Sequence, residues 1–348
     1  MERKRRREEV RSILLTGGGT GGHLAIVRSV KEELRRRDIH PCYVGSKSGQ
    51  DSSWFAQDDD FAGKLFLPTR GVVNQRGFRK VASMARMVDA TRLARRFMRE
   101  HKIEAVLSVG GFSAAPAAFA ALLERVPLFI HEQNAKEGRL NRVLKPFCDT
   151  FFPSFGEGRV DYPVGASFFE TARVRRKLGT VIFLGGSQGA RAINDFALKL
   201  APVLARKGIA IIHQTGTSEY ERIKEAYGKL GVGADLFPFD PDLVRKLARA
   251  DFAVSRAGAS TLWELAANRI PTLFVPYPYA AGDHQYFNAK YLSDRGAAWV
   301  VRQQELTPEI FWRIASGKIA PVSERLATLI DRGGAARIVE TMLERIDG

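Results

Sequence analysis

The stretch Phe252-Ala253-Val254-Ser255-Arg256-Ala257-Gly258-Ala259-Ser260-Thr261-Leu262-Trp263-Glu264 holds an apolar run, a turn of small residues and a helical segment in immediate succession. A strand that turns through small residues into a helix leaves unpaired backbone N–H groups at the positive end of the helix dipole, which suits an anion. Glu264, a turn or two into that helix, is placed to accept hydrogen bonds from a vicinal diol such as a ribose. Ile270-Pro271-Thr272-Leu273-Phe274-Val275-Pro276 then reads as a buried strand, and Gly282-Asp283-His284-Gln285-Tyr286-Phe287-Asn288 follows it. The whole reads as one half of a nucleotide-sugar site, with the other half expected elsewhere in the chain.

Working outward, the same grammar recurs. Ile13-Leu14-Leu15 ends in Thr16-Gly17-Gly18-Gly19-Thr20-Gly21-Gly22-His23, after which Leu24, Val27, Val30 and Leu34 keep helical spacing. Short apolar runs at Cys42-Tyr43-Val44, Leu65-Phe66-Leu67, Ala105-Val106-Leu107, Leu128-Phe129-Ile130 and Phe151-Phe152 alternate with helical segments. That alternation predicts βα units on a parallel sheet covered on both faces. The pattern restarts at Val181-Ile182-Phe183-Leu184 and Gly185-Gly186-Ser187-Gln188-Gly189-Ala190-Arg191, and runs on through strands ending at Trp299-Val300-Val301. The chain therefore reads as α/β with two Rossmann-like domains in tandem, 1–162 and 163–330, and a terminal helical segment, 331–348, able to return to the first. Asp240-Pro241-Asp242 reads as a helix start with Asp240 as N-cap and proline at the first position.

Composition narrows the class. A chain of 348 residues is long enough for two domains with proper cores, and 45% hydrophobic with 26% charged residues describes a folded soluble protein. Two cysteines, Cys42 and Cys148, argue against a disulfide framework and for a reducing compartment. A net charge of +16 implies an anionic partner: nucleic acid, an acidic membrane surface or a phosphate-bearing substrate. The basic opening Met1 to Arg7 is followed by Glu8 and Glu9 with no apolar core, so it does not read as a signal peptide. No run approaches the ~18 apolar residues of a membrane span, so any membrane contact is expected from outside the bilayer.

Gly17, Gly19 and Gly22 satisfy G-x-G-x-x-G between a strand and a helix, but the acid expected about twenty residues on is absent; Gly45-Ser46-Lys47-Ser48 stands there. NAD is thereby disfavoured and the loop reads as a phosphate or acceptor cradle, the bland alternative being a tight turn. His23 at its mouth reads either as a satisfied structural histidine or as a base. Gly110-Gly111-Phe112-Ser113-Ala114-Ala115-Pro116 is a third glycine turn, which close backbone packing explains equally well. His131-Glu132-Gln133-Asn134 follows a strand whose carboxyl end should face the ligand crevice, and such a polar run there favours function. Asp58-Asp59-Asp60 and Asp240-x-Asp242 match a metal-holding pattern, but their loop and helix-start settings favour structural roles, so no protein-held metal is expected. From Arg70 to Arg99 the basic residues face a single acid, Asp89, and the loop Val72, Val73, Arg76, Phe78, Arg79 and Lys80 mixes apolar tips with cations, which suits an anionic bilayer. Nucleic acid fits less well, because aromatic platforms are sparse there.

Gly18-Gly19-Thr20-Gly21-Gly22-His23, the His131-to-Asn134 tetrad, Gly185 to Arg191 with Asn194, and Ser255-Arg256-Ala257-Gly258-Ala259 through Gln285-Tyr286-Phe287-Asn288 together resemble the MurG family, peptidoglycan transferases that add N-acetylglucosamine to lipid I. The resemblance runs in order from about Ile13 to Val301. It implies a GT-B fold with an interdomain cleft, UDP-N-acetylglucosamine as donor, lipid I as acceptor, inversion at the anomeric carbon and no cofactor. It further implies a peripheral position on the cytoplasmic face of the bacterial inner membrane and no nucleic-acid partner. Carried over by position, the donor contacts are Thr20, Gly21, Gly22, Asn134, Ser187 with Gln188, and Gly258, Ala259, Ser260, Thr261, Leu262, Trp263 and Glu264, with Gln285 near the sugar. His23 and Glu132 are both candidates for the general base, and the sequence selects neither. Departures are Gly165-Ala166-Ser167-Phe168-Phe169 where the family has Gly-Asn-Pro-x-Arg, with Arg173 the substitute arginine to examine, His284 for a glutamine, and Asp240 for an isoleucine beside the uracil. A diacylglycerol transferase of the same fold and a non-catalytic basic Rossmann protein stay open as alternatives.

Overall fold

The computed structural model describes residues 11–69, 78–186, 189–240 and 242–348, and the side chains of 78–82 lie outside that description. The chain divides into two units. The first comprises Met1–Gln133, Glu137–Pro163 and Gly333–Gly348; the second comprises Asn134–Lys136 and Val164–Arg332. Each unit is a doubly wound α/β layer.

In the first unit β1 (Ile13–Thr16), β2 (Cys42–Ser46), β3 (Gly63–Leu67), β4 (Ala105–Ser108), β5 (Leu128–Glu132) and β6 (Thr150–Pro153) form a parallel sheet of order β3-β2-β1-β4-β5-β6. Leu14 pairs with Cys42 on one side and Val106 on the other. The central strands are buried along their whole length, while edge strands β3 and β6 are only partly so. That is why the central strands read as unbroken apolar runs. Helix Ala115–Glu124 lays small Ala117, Ala118 and Ala121 on the sheet, allowing close approach, and Ala94, Phe97 and Met98 of helix Phe78–Glu100 fill the space beside it. The chain's last helix, Gly334–Asp347, buries Ile338, Val339 and Met342 and packs on helix Gly21–Arg35 of this unit. Ion pairs Arg37–Glu340 at 2.9 Å, Arg337–Asp161 and Arg11–Asp347 fasten it.

In the second unit β7 (Thr180–Leu184), β8 (Ala210–Gln214), β9 (Asp235–Phe237), β10 (Phe252–Ser255), β11 (Thr272–Phe274) and β12 (Trp299–Val300) take the order β12-β11-β10-β7-β8-β9. Read from the other edge, this repeats the strand order of the first unit. Val254 pairs with Phe183 and Leu273, and Ile193, Phe196 and Leu200 of helix Arg191–Arg206 close one face of the core. In both sheets the strand order reverses between the first and fourth strands. Ligands bind beyond the carboxyl ends of strands at such switch points. The loops after β1, β4, β7 and β10 are therefore the ones to inspect, and they are the glycine turns of the sequence.

Candidate active site

In the first unit the loop after β1 is locked by the loop after β4. Gly17 has φ +127°, and a Cβ there would lie 2.6 Å from the Gly110 carbonyl oxygen; a Cβ on Gly111 would overlap the Gly18 oxygen. The Gly110-Gly111 turn thus serves close backbone packing. Asp51, wholly buried, accepts hydrogen bonds from the N–H of Gly19 at 2.5 Å and of Ser46 at 2.8 Å, and the Tyr43 hydroxyl donates to the Gly17 carbonyl at 2.9 Å. Sequence reasoning missed Asp51, because nothing marks a lone aspartate in a polar loop as the brace of a glycine turn. Helix Gly21–Arg35 starts directly after, with Thr20 as its N-cap. The Thr20 hydroxyl lies 2.9 Å from His23 Nδ1, and Gln133 Nε2 lies 2.7 Å from His23 Nε2.

The tetrad splits into separate roles. His131 and Glu132 belong to β5 itself rather than to the loop beyond it. His131 is wholly buried, its Nε2 pairs with Ser154 Oγ at 2.9 Å, and its ring edge meets Tyr162. Burial, helped by the nearby His23, pushes its pKa down to about 3, so it is neutral. Glu132 is 2% exposed and its Oε2 accepts from the Gly138 N–H at 2.8 Å and Asn141 Nδ2 at 2.9 Å. Gln133 meets His23. Asn134 falls in the second unit, where the buried Asn288 donates to its Oδ1 at 3.1 Å and to the Ala257 carbonyl at 3.2 Å while accepting from the Ala135 N–H at 2.8 Å.

In the second unit Ser187 and Gln188 lie outside the described residues, as do Val72, Val73 and Arg76; Phe78, Arg79 and Lys80 open helix Phe78–Glu100 without described side chains. Asn194 is buried and bridges His213 Nε2 at 3.0 Å to the Thr215 carbonyl at 3.0 Å, a brace under the loop after β8. After β10, Gly258 is the N-cap of helix Ala259–Ala267, and nothing lies within 4 Å of where its Cβ would be. The first N–H groups of that helix have no carbonyl behind them. Ser260 Oγ donates to Glu264 Oε1 at 2.6 Å, so both polar side chains share one face. Leu262 and Trp263 turn their side chains into the core, where both are wholly buried, so what they offer on this side is backbone. Gln285 Oε1 accepts from the N–H of Ala257 at 3.2 Å and Tyr277 at 2.9 Å, tying together the loops after β10 and β11. Arg256, which the sequence reading quoted without a role, donates to the carbonyls of Val275 and Pro276 at 3.0 and 3.1 Å and to Gln303 Oε1 at 2.8 Å.

Three further expectations are corrected or resolved. Arg173 pairs with Asp251 at 2.6 Å, and Asp251 caps the N–H groups of Gly179 and Thr180, at the amino ends of β7 and β10. It sits at the end of the sheet opposite the switch-point loops, so it does not replace the missing arginine. The helix after Asp240 runs Leu243–Arg249 with Asp242 as N-cap; Asp240 instead accepts from the Asp242 N–H at 2.8 Å, and Pro241 is outside the described residues. Asp58 and Asp60 pair with Lys31 at 2.6 and 3.1 Å, as the structural reading has it. Among the described residues no group of three or more His, Cys, Asp or Glu is arranged to hold a metal.

Two doubly wound sheets of one strand order, each with a glycine turn at its switch point, make the GT-B architecture. The chain matches the glycosyltransferase family 28 N-terminal domain over residues 13–153 and the C-terminal domain of the same family over residues 180–312. A protein of Wolinella succinogenes is 50% identical over 334 residues, covering 95% of this chain and 99% of that one, and one of Nitratiruptor sp. is 49% identical over 335 residues, covering 96% and 99%. Both are named UDP-N-acetylglucosamine--N-acetylmuramyl-(pentapeptide) pyrophosphoryl-undecaprenol N-acetylglucosamine transferase. The crystal structure of Acinetobacter baumannii MurG superposes with a TM-score of 0.77 at 25% identity over 96% of this chain and 99% of that one. The chain belongs to the MurG family, within glycosyltransferase family 28.

Proposed function

We propose that this enzyme moves N-acetylglucosamine from UDP-N-acetylglucosamine to the muramoyl 4-hydroxyl of lipid I with inversion, making lipid II for peptidoglycan. The observation that carries the donor side is the open helix start at Gly258 with Ser260 and Glu264 on one face. The leaving diphosphate gains charge as the glycosidic bond breaks, so N–H groups of the Gly258-to-Thr261 turn and of the Ser187-Gln188 loop stabilise the transition state more than the ground state. Glu264 holds the ribose and fixes position. Gln285, its oxygen already engaged, offers its NH₂ to the sugar. Asn134 and the backbone of Thr20, Gly21 and Gly22 complete the donor contacts.

The first unit carries the acceptor and the base, and the second carries most of the donor contacts. His23 is the base rather than Glu132: the Glu132 Oε2 is taken by Gly138 and Asn141, and its job is to hold the turn that starts helix Arg139–Leu144. No cofactor takes part. Among the described residues no helix is long and apolar enough to cross a membrane. The enzyme binds peripherally to the cytoplasmic face of the inner membrane through Val72, Val73, Arg76, Phe78, Arg79 and Lys80, joined by exposed Met84 and Val88 of helix Phe78–Glu100. Nucleic acid is not a partner.

A thermal-shift panel of UDP, UDP-N-acetylglucosamine, UDP-glucose and NAD tests the donor assignment. A ligand at a hundred times its Kd adds about 2.7 kcal/mol, which raises Tm by roughly 5–10 °C for a unit of this size. UDP-N-acetylglucosamine should give that rise and NAD none; a melt indifferent to both uridine nucleotides defeats the proposal.

A further inference from the structure

Thr20 stands at the N-cap of helix Gly21–Arg35 and yet makes no capping hydrogen bond. A threonine there ordinarily accepts from the N–H two or three residues on. Its hydroxyl lies instead against His23 Nδ1 at 2.9 Å, and the other ring nitrogen lies 2.7 Å from the Gln133 amide nitrogen. The imidazole is therefore gripped at both nitrogens. One partner is exposed Thr20, open to a substrate; the other, Gln133, is 7% exposed and fixed at the end of β5. His213 is also held at both nitrogens, by the Tyr227 hydroxyl at 3.2 Å and Asn194 Oδ1 at 3.0 Å, but it is wholly buried, whereas His23 stands half-buried at the glycine loop beside an exposed hydroxyl.

Resting on His23 as the base, we propose that Gln133 is the positioning residue that selects which nitrogen of His23 is basic, and that the Thr20 hydroxyl relays the acceptor's proton to it. A carboxamide can turn either its NH₂ or its oxygen toward the ring. With NH₂ toward Nε2, that nitrogen accepts, the ring proton sits on Nδ1, and Nδ1–H donates to Thr20. With the amide turned by half a revolution, Oε1 accepts from Nε2–H and Nδ1 is left as the lone-pair nitrogen facing the Thr20 hydroxyl. The first arrangement is the resting one and the second is the reactive one. In the second, muramoyl O4 bonds to the anomeric carbon as the bond from that carbon to the UDP oxygen breaks, the electron pair leaving on the β-phosphate. The O4 proton passes to Thr20 Oγ1, and the proton Thr20 held passes to Nδ1. UDP, the inverted glycoside and an imidazolium result; Gln133 Oε1 holds the imidazolium through Nε2–H until it returns a proton to solvent. An amide orienter in place of a carboxylate is the arrangement of asparagine in some histidine-dependent sites.

The titratable groups near the ring have contacts of their own. His131 of β5 is neutral and committed to Ser154, and the Tyr162 hydroxyl donates to the Gly22 carbonyl at 3.4 Å. Glu132 is engaged by Gly138 and Asn141, and Asp51 by Gly19 and Ser46.

Four variants, Gln133→Glu, Gln133→Met, Thr20→Val and Thr20→Ser, test the proposal through the pH dependence of kcat/KM with saturating UDP-N-acetylglucosamine and lipid I in mixed micelles. A carboxylate on Nε2 favours the imidazolium, so Gln133→Glu should move the acidic limb up by about one unit or more. Gln133→Met should lower kcat without that shift. Thr20→Val should lose roughly a hundredfold or more in kcat with the donor's KM held, and Thr20→Ser should restore most of it. A Gln133→Glu profile that superposes on the unsubstituted enzyme, or Thr20→Val turning over like Thr20→Ser, overturns the proposal. His23→Ala is run beside them. A loss under about tenfold there removes the base assignment itself; a full loss there with an unmoved Gln133→Glu limb removes only the positioning and relay.

Discussion

Replacing Glu132 by glutamine separates a structural carboxylate from a catalytic one. Its Oε2 accepts from the Gly138 N–H at 2.8 Å and from Asn141 Nδ2 at 2.9 Å, and the side chain is 2% exposed. Hydrogen bonds to a charged group contribute about 1.5–3 kcal/mol each against about 0.5–1.5 for neutral ones. Glutamine keeps an oxygen for both donors, so the expected loss is the charged-to-neutral difference over two bonds, about 2–3 kcal/mol. At roughly 2–4 °C per kcal/mol for a unit of this size, Tm should fall by about 4–12 °C. Turnover, measured well below the melt by coupled UDP release, should stay within about threefold, whereas loss of a general base costs about 10²–10⁴. A hundredfold loss of kcat in a protein that melts with the unsubstituted one would refute this reasoning and return Glu132 to the chemistry.

Other expectations follow from the same contacts. Gly258→Asp places a good N-cap where the backbone has room and φ is −62°, so Tm without ligand should hold or rise slightly, while the carboxylate facing the diphosphate should weaken UDP binding at least about tenfold by calorimetry; unchanged affinity would move the diphosphate elsewhere. Arg175, wholly buried, donates to the carbonyls of Arg173, Ala250 and Leu247 and to Asn268 Oδ1; Arg175→Met removes these charged donors, and although the Leu247 carbonyl keeps the Ala250 N–H and the Ala250 carbonyl keeps Arg173, stability should fall by at least about 1.5–3 kcal/mol, and a variant as stable to urea as the parent would show the network to be idle. Burial pushes His213 down to about 3, below its unfolded pKa, so its neutral form contributes stability that is whole above about pH 6.5 and is lost as pH falls toward 3, at about 1.4 kcal/mol per pH unit. His213→Gln should flatten that slope between pH 6 and 4, and an identical slope would assign the acid sensitivity to other groups. Reversing the charges of Arg76, Arg79 and Lys80 should weaken co-sedimentation with anionic vesicles and leave UDP affinity intact; undiminished binding would place the membrane surface elsewhere.

The sheets were legible because their central strands are buried on both faces and must be apolar throughout, as Ile13-Leu14-Leu15 and Val181-Ile182-Phe183-Leu184 are. The glycine turns were legible too, since a backbone that passes as close as Gly17 does to Gly110 admits no side chain. What escaped was direction and partnership. The resemblance put Leu262 and Trp263 in the donor segment, but that their side chains enter the core depends on strands remote in sequence. The braces, Asp51 under the glycine loop and Asn194 under the loop after β8, join residues far apart in the chain. Arg173 looked available until Asp251 was placed against it. His23 and Glu132 were legible as candidates from their places at a glycine turn and a strand end, but that Glu132 Oε2 accepts from Gly138 and Asn141 was not.

The most direct measurement is a transfer assay with the purified full chain, UDP-N-acetylglucosamine labelled in the sugar, and lipid I and diacylglycerol offered side by side in one vesicle preparation. The account predicts label in lipid II, linked to muramoyl O4 with inverted configuration, none in the diacylglycerol fraction, and loss of the product in His23→Ala. Label in diacylglycerol with lipid I untouched, or sugar released to water alone, would contradict it.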